Sequence, residues 1–162
     1  METTVIGVGE FGTVGNPGDV IKTFALGSCV AVVVMDKRTR VVGLLHVALP
    51  SSKTNPERAK SDPGYFADTG IPELLEQMVA AGTRRGDTDL IVKLAGGAKV
   101  LDVGNAFDVG KKNQLAVKKT LWAHGLAPRA EDLGGAISRT VEVDVDRGRM
   151  AVTTTNRDPW EI

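Results

Sequence analysis

Cys29-Val-Ala-Val-Val-Val-Met35, then Asp36-Lys-Arg-Thr-Arg40, then Val41-Val-Gly-Leu-Leu-His-Val-Ala-Leu49 is the stretch that decides the fold. Two valine-rich runs joined by a short charged segment read as an antiparallel hairpin. Neither run alternates apolar with polar residues, so both faces of the hairpin are apolar and it belongs in the interior of a layered fold. With Lys37 and Arg38 as the two central turn residues, Asp36 faces Thr39, Val34 faces Val41 and Cys29 faces His46. A longer connection would change that register.

The flanking sequence supplies layers for the hairpin to pack against. Val5 to Val14 reads as a short strand pair broken by glycines, Asn16-Pro17-Gly18 as a turn, and Val20 to Leu26 as a strand ended by Gly27. Ser51 to Gly64 reads as a mobile surface loop. Asp68 or Thr69 caps a helix to about Thr83, with Pro72 in its first turn and Leu74, Leu75, Met78 and Val79 on one face. Leu90 to Ala95 is a strand closed by Gly96-Gly97, and Ala98 to Val109 has no clean period. Asn113 caps a second helix that ends at His124-Gly125. Ala127 to Asp132 reads as a strand, and Thr140 to Val145 pairs with Arg149 to Thr154 through Asp146-Arg147-Gly148. Residues 156–162 read as a tail. Hairpin neighbours outnumber crossover units, so residues 1–162 are expected to form one α+β domain rather than a doubly wound parallel sheet.

Bulk composition narrows the function. Apolar residues make up 42% of the 162, enough for a substantial core. The 20 basic and 20 acidic residues cancel, and that balance argues against a nucleic-acid or membrane-surface protein. A single cysteine forbids an internal disulfide. The first residues lack the basic start and apolar run of a signal peptide, and the longest apolar run is too short to span a bilayer. The expectation is a cytoplasmic protein.

Cys29 and His46 carry the candidate chemistry. Only a thiolate attacks, and an adjacent imidazole takes the thiol proton and returns it to a leaving group. Gly27 and Ser28 precede the cysteine, where a sharp turn brings backbone N–H groups towards a tetrahedral oxyanion. Thr23, six residues before Cys29, offers a hydroxyl to orient the second imidazole nitrogen. Each residue alone has a plainer reading: a lone cysteine in a valine-rich strand is ordinarily inert core, and a buried histidine or strand threonine ordinarily packs. Gly96-Gly97 lacks the lysine of a phosphate loop. No cluster of His, Cys and carboxylates has the spacing of metal ligands, so neither metal nor cofactor is expected.

Taken in order, several motifs resemble one family. They are Val5-Ile-Gly-Val-Gly-Glu10, Asn16-Pro17-Gly18, Leu26-Gly-Ser-Cys29-Val-Ala-Val, His46-Val-Ala-Leu-Pro50, Tyr65-Phe-Ala-Asp-Thr69, Leu94-Ala-Gly-Gly-Ala98, Val109-Gly-Lys-Lys-Asn113 and Glu131-Asp-Leu-Gly-Gly135. The chain resembles the chemoreceptor glutamine deamidases, CheD, along nearly its whole length. The resemblance implies a cysteine hydrolase with nucleophile at Cys29, base at His46 and supporting hydroxyl at Thr23. It also implies a fold similar to bacterial toxin deamidases, with two packed, mostly antiparallel sheets flanked by helices in α/β/β/α order. Lys112, Phe66 and Leu133 stand where the family often has arginine, tyrosine and threonine; none is in the expected triad.

The implied activity converts receptor glutamines on cytoplasmic helices to glutamate through a thioester, a route that also admits glutamate methylesterase activity. The implied partner is a CheC-type phosphatase. A non-catalytic module docking to that phosphatase is the alternative, and amine transfer in place of hydrolysis is a third. Val100 and Leu101 lead an apolar stretch that offers a partner contact or, equally, buried core.

Overall fold

A run of six valines and other apolar residues can bury both faces only in the middle layer of a sandwich, and the computed structural model, which describes residues 1–99 and 108–162, puts it there. Every residue of β4 (Val30–Met35) and β5 (Val42–Val47) is buried. Along β4 the side chains divide strictly by parity. Val30, Val32 and Val34 join one core cluster with the helices, while Ala31, Val33 and Met35 join a second cluster against the other sheet.

The strands form two five-stranded sheets. The first runs β1 (Thr3–Ile6), β3 (Val20–Leu26), β8 (Arg139–Asp144), β9 (Met150–Thr154), β10 (Arg157–Glu161). The second runs β2 (Phe11–Val14), β5, β4, β6 (Ile91–Gly96), β7 (Pro128–Leu133). Only the β1–β3 and β6–β7 pairs are parallel, so the fold is α+β with mostly antiparallel sheets, as expected.

Helix α2 (Ala67–Ala80) lays Ala67, Ile71, Leu74 and Met78 on the outer face of the second sheet, an apolar stripe at helical spacing. Helix α3 (Val109–Ala123) covers the same face with Val117 and Leu121. The helices thus cover one sheet only. Among the described residues no helix shields the first sheet, where Val5 and Phe24 are about half exposed. The layering is α/β/β, and the second helical layer is absent among these residues. No helix is long and apolar enough to cross a membrane among them.

Several local expectations are corrected. The β4–β5 connection is longer than two residues: Met35 pairs with Val42, and Lys37, Arg38, Thr39 and Arg40 span the turn. A two-residue hairpin turn of the favoured kind needs left-handed backbone at both positions, which suits Asn-Gly and not Lys-Arg. Here the left-handed residue is Arg40, at φ 68°, and buried Asp36 accepts from the Arg38 N–H and the Thr83 hydroxyl to hold the wider loop.

β1 and β2 do not pair with each other; the turn at Gly7–Glu10 hands the chain from one sheet to the next. The segment after β5 is ordered into a 3₁₀ turn (Ser52–Thr54), α1 (Pro56–Ser61) and a second 3₁₀ turn (Pro63–Tyr65). Ser51 and Asn55 cap the first two, and Asp68 accepts from the Ser52 N–H and hydroxyl. Residues 157–161 are β10 rather than a tail, anchored by the Trp160 indole N–H donating 2.7 Å to Asp132.

Met78 is fully buried between α2 and the second sheet, whereas Leu115 on α3 is 60% exposed. Met78→Ala is expected to cost about 2–5 kcal/mol in urea unfolding, and Leu115→Ala within about 0.5 kcal/mol of zero. Equal losses would contradict this assignment of the core.

Candidate active site

His46 lies on the face of β5 that looks across to the first sheet, where Thr23 of β3 meets it. The Thr23 Oγ1 is 2.7 Å from His46 Nδ1, and the same oxygen donates to the Ile6 carbonyl at 2.6 Å. A hydroxyl has one proton. With that proton given to Ile6, Thr23 can only accept from the ring, so His46 carries its hydrogen on Nδ1 and presents Nε2 as a bare acceptor. That Nε2 is buried and has no hydrogen-bond partner among the described residues. Burial also pushes the His46 pKa down to about 4, so the imidazole is neutral at ordinary pH.

Cys29 stands just before β4 and packs, half-buried, against the inter-sheet cluster. The longer turn shifts the hairpin register by two, so His46 opposes Ala31 and not Cys29. Cys29 is the diagonal neighbour, two residues along on the same face as Ala31. Diagonal neighbours lie roughly 7–8 Å apart at Cα, and the Cys29 sulfur makes no hydrogen bond to His46 Nε2. The register expected to set Cys29 directly opposite His46 is therefore not the one formed. Burial holds the Cys29 thiol above its usual pKa. Both shifts come from burial and both favour the uncharged form of each group.

The backbone before Cys29 is pinned by its carbonyls. Ala98 N–H donates to Gly27 O at 2.8 Å, Gly97 N–H to Cys29 O at 2.7 Å, and the Asn113 amide to Ser28 O at 2.9 Å. The N–H of Ser28 meets no backbone acceptor among the described residues, and that of Cys29 faces its own sulfur. Gly27 and Ser28 thus sit in a segment whose carbonyl oxygens are all held by the protein. Val100 and Leu101 lie outside the described residues.

Three further groups shape this end of the molecule, and sequence reading missed each of them. Gly96, at φ 111°, approaches so closely that a Cβ there would lie 2.2 Å from the Cys29 carbonyl oxygen. The Gly96-Gly97 pair is a close-approach device, not only a turn. Arg139 is buried and its guanidinium donates to the Gly96 and Gly134 carbonyls, bracing the same corner. Asn113 is not the cap of α3; Asp108 is, accepting from the Lys111 N–H at 3.1 Å. Asn113 is instead wholly buried in the second turn. Its spacing from Val117 and Leu121, at i+4 and i+8, was the available signal that it faces inward.

Gly96→Ala is expected to destabilise the fold by about 1–3 kcal/mol, read by denaturant unfolding, because backbone must move away from Cys29 and the residue is left-handed. A wild-type midpoint would refute the contact. A second expectation concerns pH. His46 binds its proton near 6.5 when unfolded and near 4 when folded, so the unfolded state takes up the extra proton between these values. Stability is fully present above about pH 6.5 and falls by up to about 3 kcal/mol towards pH 4. Thermal unfolding across that window should show a component that His46→Gln lacks; identical slopes in both proteins would contradict the burial of a neutral His46.

Residues 48–154 match a family model described as CheD chemotactic sensory transduction. The chain is 45% identical over 162 residues, the whole of both chains, to a protein of Syntrophotalea carbinolica named "Probable chemoreceptor glutamine deamidase CheD". It is 45% identical over 152 residues to "Probable chemoreceptor glutamine deamidase CheD 2" of Anaeromyxobacter dehalogenans, covering 94% of each. It is 41% identical over 150 residues to the protein named as the first is in Methanococcus vannielii, covering 92% of this chain and 93% of the relative. The family-model match begins after His46, while the match to the first relative runs over Thr23, Cys29 and His46 as well. On the strength of both, the chain belongs to the CheD family.

Proposed function

We propose that this protein deamidates glutamine side chains of methyl-accepting chemotaxis receptors, with Cys29 as nucleophile, His46 as general base and acid, and Thr23 as the group that holds the histidine. The observation that carries the mechanism is the Thr23–His46 contact at 2.7 Å, which leaves Nε2 unprotonated in the gap that Cys29 borders. The observation that carries the substrate is the shared name of full-length relatives.

The reaction begins from the uncharged pair. Nε2 takes the Cys29 proton as the sulfur attacks the glutamine amide carbon. Charge develops on the carbonyl oxygen, and the N–H of Ser28, which has no backbone acceptor among the described residues, receives it, with Gly27 permitting the turn. The imidazolium, stabilised through Nδ1–H on Thr23, gives its proton to the departing nitrogen, and the C–N bond breaks to release ammonia. A thioester remains. Water then loses a proton to Nε2 and attacks the thioester carbon; the C–S bond breaks, the sulfur regains its proton, and glutamate is left. A glutamate methyl ester enters the same cycle with methanol as leaving group.

The family resemblance adds a CheC-type phosphatase as partner and the cytoplasm, where receptor signalling helices lie, as the place of action. A purely docking role is the weaker reading, because a wholly buried His46 with a preset tautomer has no use in docking.

Mass spectrometry of receptor cytoplasmic fragments tests the proposal. Wild-type protein should add about one dalton per modified glutamine, and Cys29→Ala and His46→Gln should add none. Thr23→Val, which keeps the shape but removes the acceptor for Nδ1–H, should slow the reaction by about 10- to 100-fold. Deamidation by Cys29→Ala at the wild-type rate would remove Cys29 from the mechanism.

A further inference from the structure

The hairpin that carries Cys29 and His46 stops short of the cysteine. Its last paired residues are Val30 and Val47, so Ser28, Cys29 and Ala48 lie beyond the β4–β5 ladder. Nothing in that ladder sets the separation of the two chain ends. Asn113 spans it. Its amide nitrogen donates to Ser28 O at 2.9 Å and to Ala48 O at 3.0 Å. One carbonyl is a residue before Cys29 and the other is two residues after His46.

The position is otherwise one for an apolar residue. Asn113 heads the inward stripe of α3 that continues with Val117 and Leu121, and all three are fully buried. Its Oδ1 is buried without a partner among the described residues. An asparagine with an unmet acceptor is a poor choice for packing. Both of its donors, however, are used, and used on the two segments that bear the thiol and the imidazole. Gly110, one turn earlier, has no room for a Cβ against the Gly97 and Ala98 carbonyls, so the helix start is seated closely on the same corner.

We infer that Asn113 is a positioning residue that replaces the missing rung of the hairpin and sets the Cys29–His46 separation. This rests on the reading of Cys29 and His46 as a working pair. A shift of about 1 Å in such a pair is enough to cost on the order of 100-fold in rate without any loss of fold.

The test uses Asn113→Leu, which keeps the volume, suits the apolar stripe and removes both donors, with Asn113→Gln as the variant that retains an amide. The first readout is the rate of Cys29 alkylation by iodoacetamide across pH, which needs no receptor. Wild type, Asn113→Leu and His46→Gln are compared. The expectation is a folded Asn113→Leu protein whose alkylation profile moves towards that of His46→Gln. Its kcat on receptor fragments should fall tenfold or more, with KM changed less than about threefold and partial recovery in Asn113→Gln. A profile and kcat equal to wild type would overturn the inference. So would a loss of activity that tracks only the fraction of unfolded protein. If wild type itself alkylates like His46→Gln, the pairing of Cys29 with His46 fails, and the inference falls with it for that separate reason.

Discussion

A hairpin with no polar face imposes the rest of this architecture. β4 and β5 are buried at every position, so the chain must supply a cover for each side. The helices α2 and α3 provide one and the first sheet provides the other. The first sheet then needs no second cover of its own, since its outer face carries residues such as Lys22 and Glu142 that tolerate water. The three-layer arrangement follows from where the apolar surface runs out.

Placing a histidine in such a hairpin has a consequence for its chemistry. His46 sits in the dry gap between sheets, where a charged ring is disfavoured and an unpartnered nitrogen is costly. Thr23 satisfies one nitrogen from the facing sheet, and the other is left free at the gap's end. The sandwich thereby does more than support the site. Sheet packing fixes the tautomer, and the ladder of β5 fixes the ring's origin.

Much of this was legible in the residues and some was not. The buried hairpin, both long helices and the β8–β9 pair followed from apolar runs and turn residues, because these signals are local. Thr23, Cys29 and His46 were legible as types and spacings. The register was not, because a two-residue turn was assumed where Asp36 reaches Arg38 and Thr83 to hold a wider loop. Direct opposition of Cys29 and His46 depended on that short turn, and in the ladder His46 faces Ala31. Asn113 was read as a cap because Asn favours caps; its true role depends on carbonyls 65 and 85 residues away in sequence. Gly96 could not be valued from sequence for the same reason: its neighbour is the Cys29 backbone. Strand β10 was missed because Pro159 and the shift in its register hide any alternation.

The half-buried, protonated state of Cys29 bears on how the protein endures oxidants. Peroxide and disulfides react with thiolates, and a thiol whose pKa is raised by burial offers little of that form at rest. Low-pKa cysteines that are permanently charged are the ones converted to sulfenic acid in stressed cells. In the mechanism proposed above the reactive form arises only as His46 takes the proton, beside a group able to receive the sulfur's attack. Burial of the lone cysteine of this chain thereby keeps its readily oxidised form scarce.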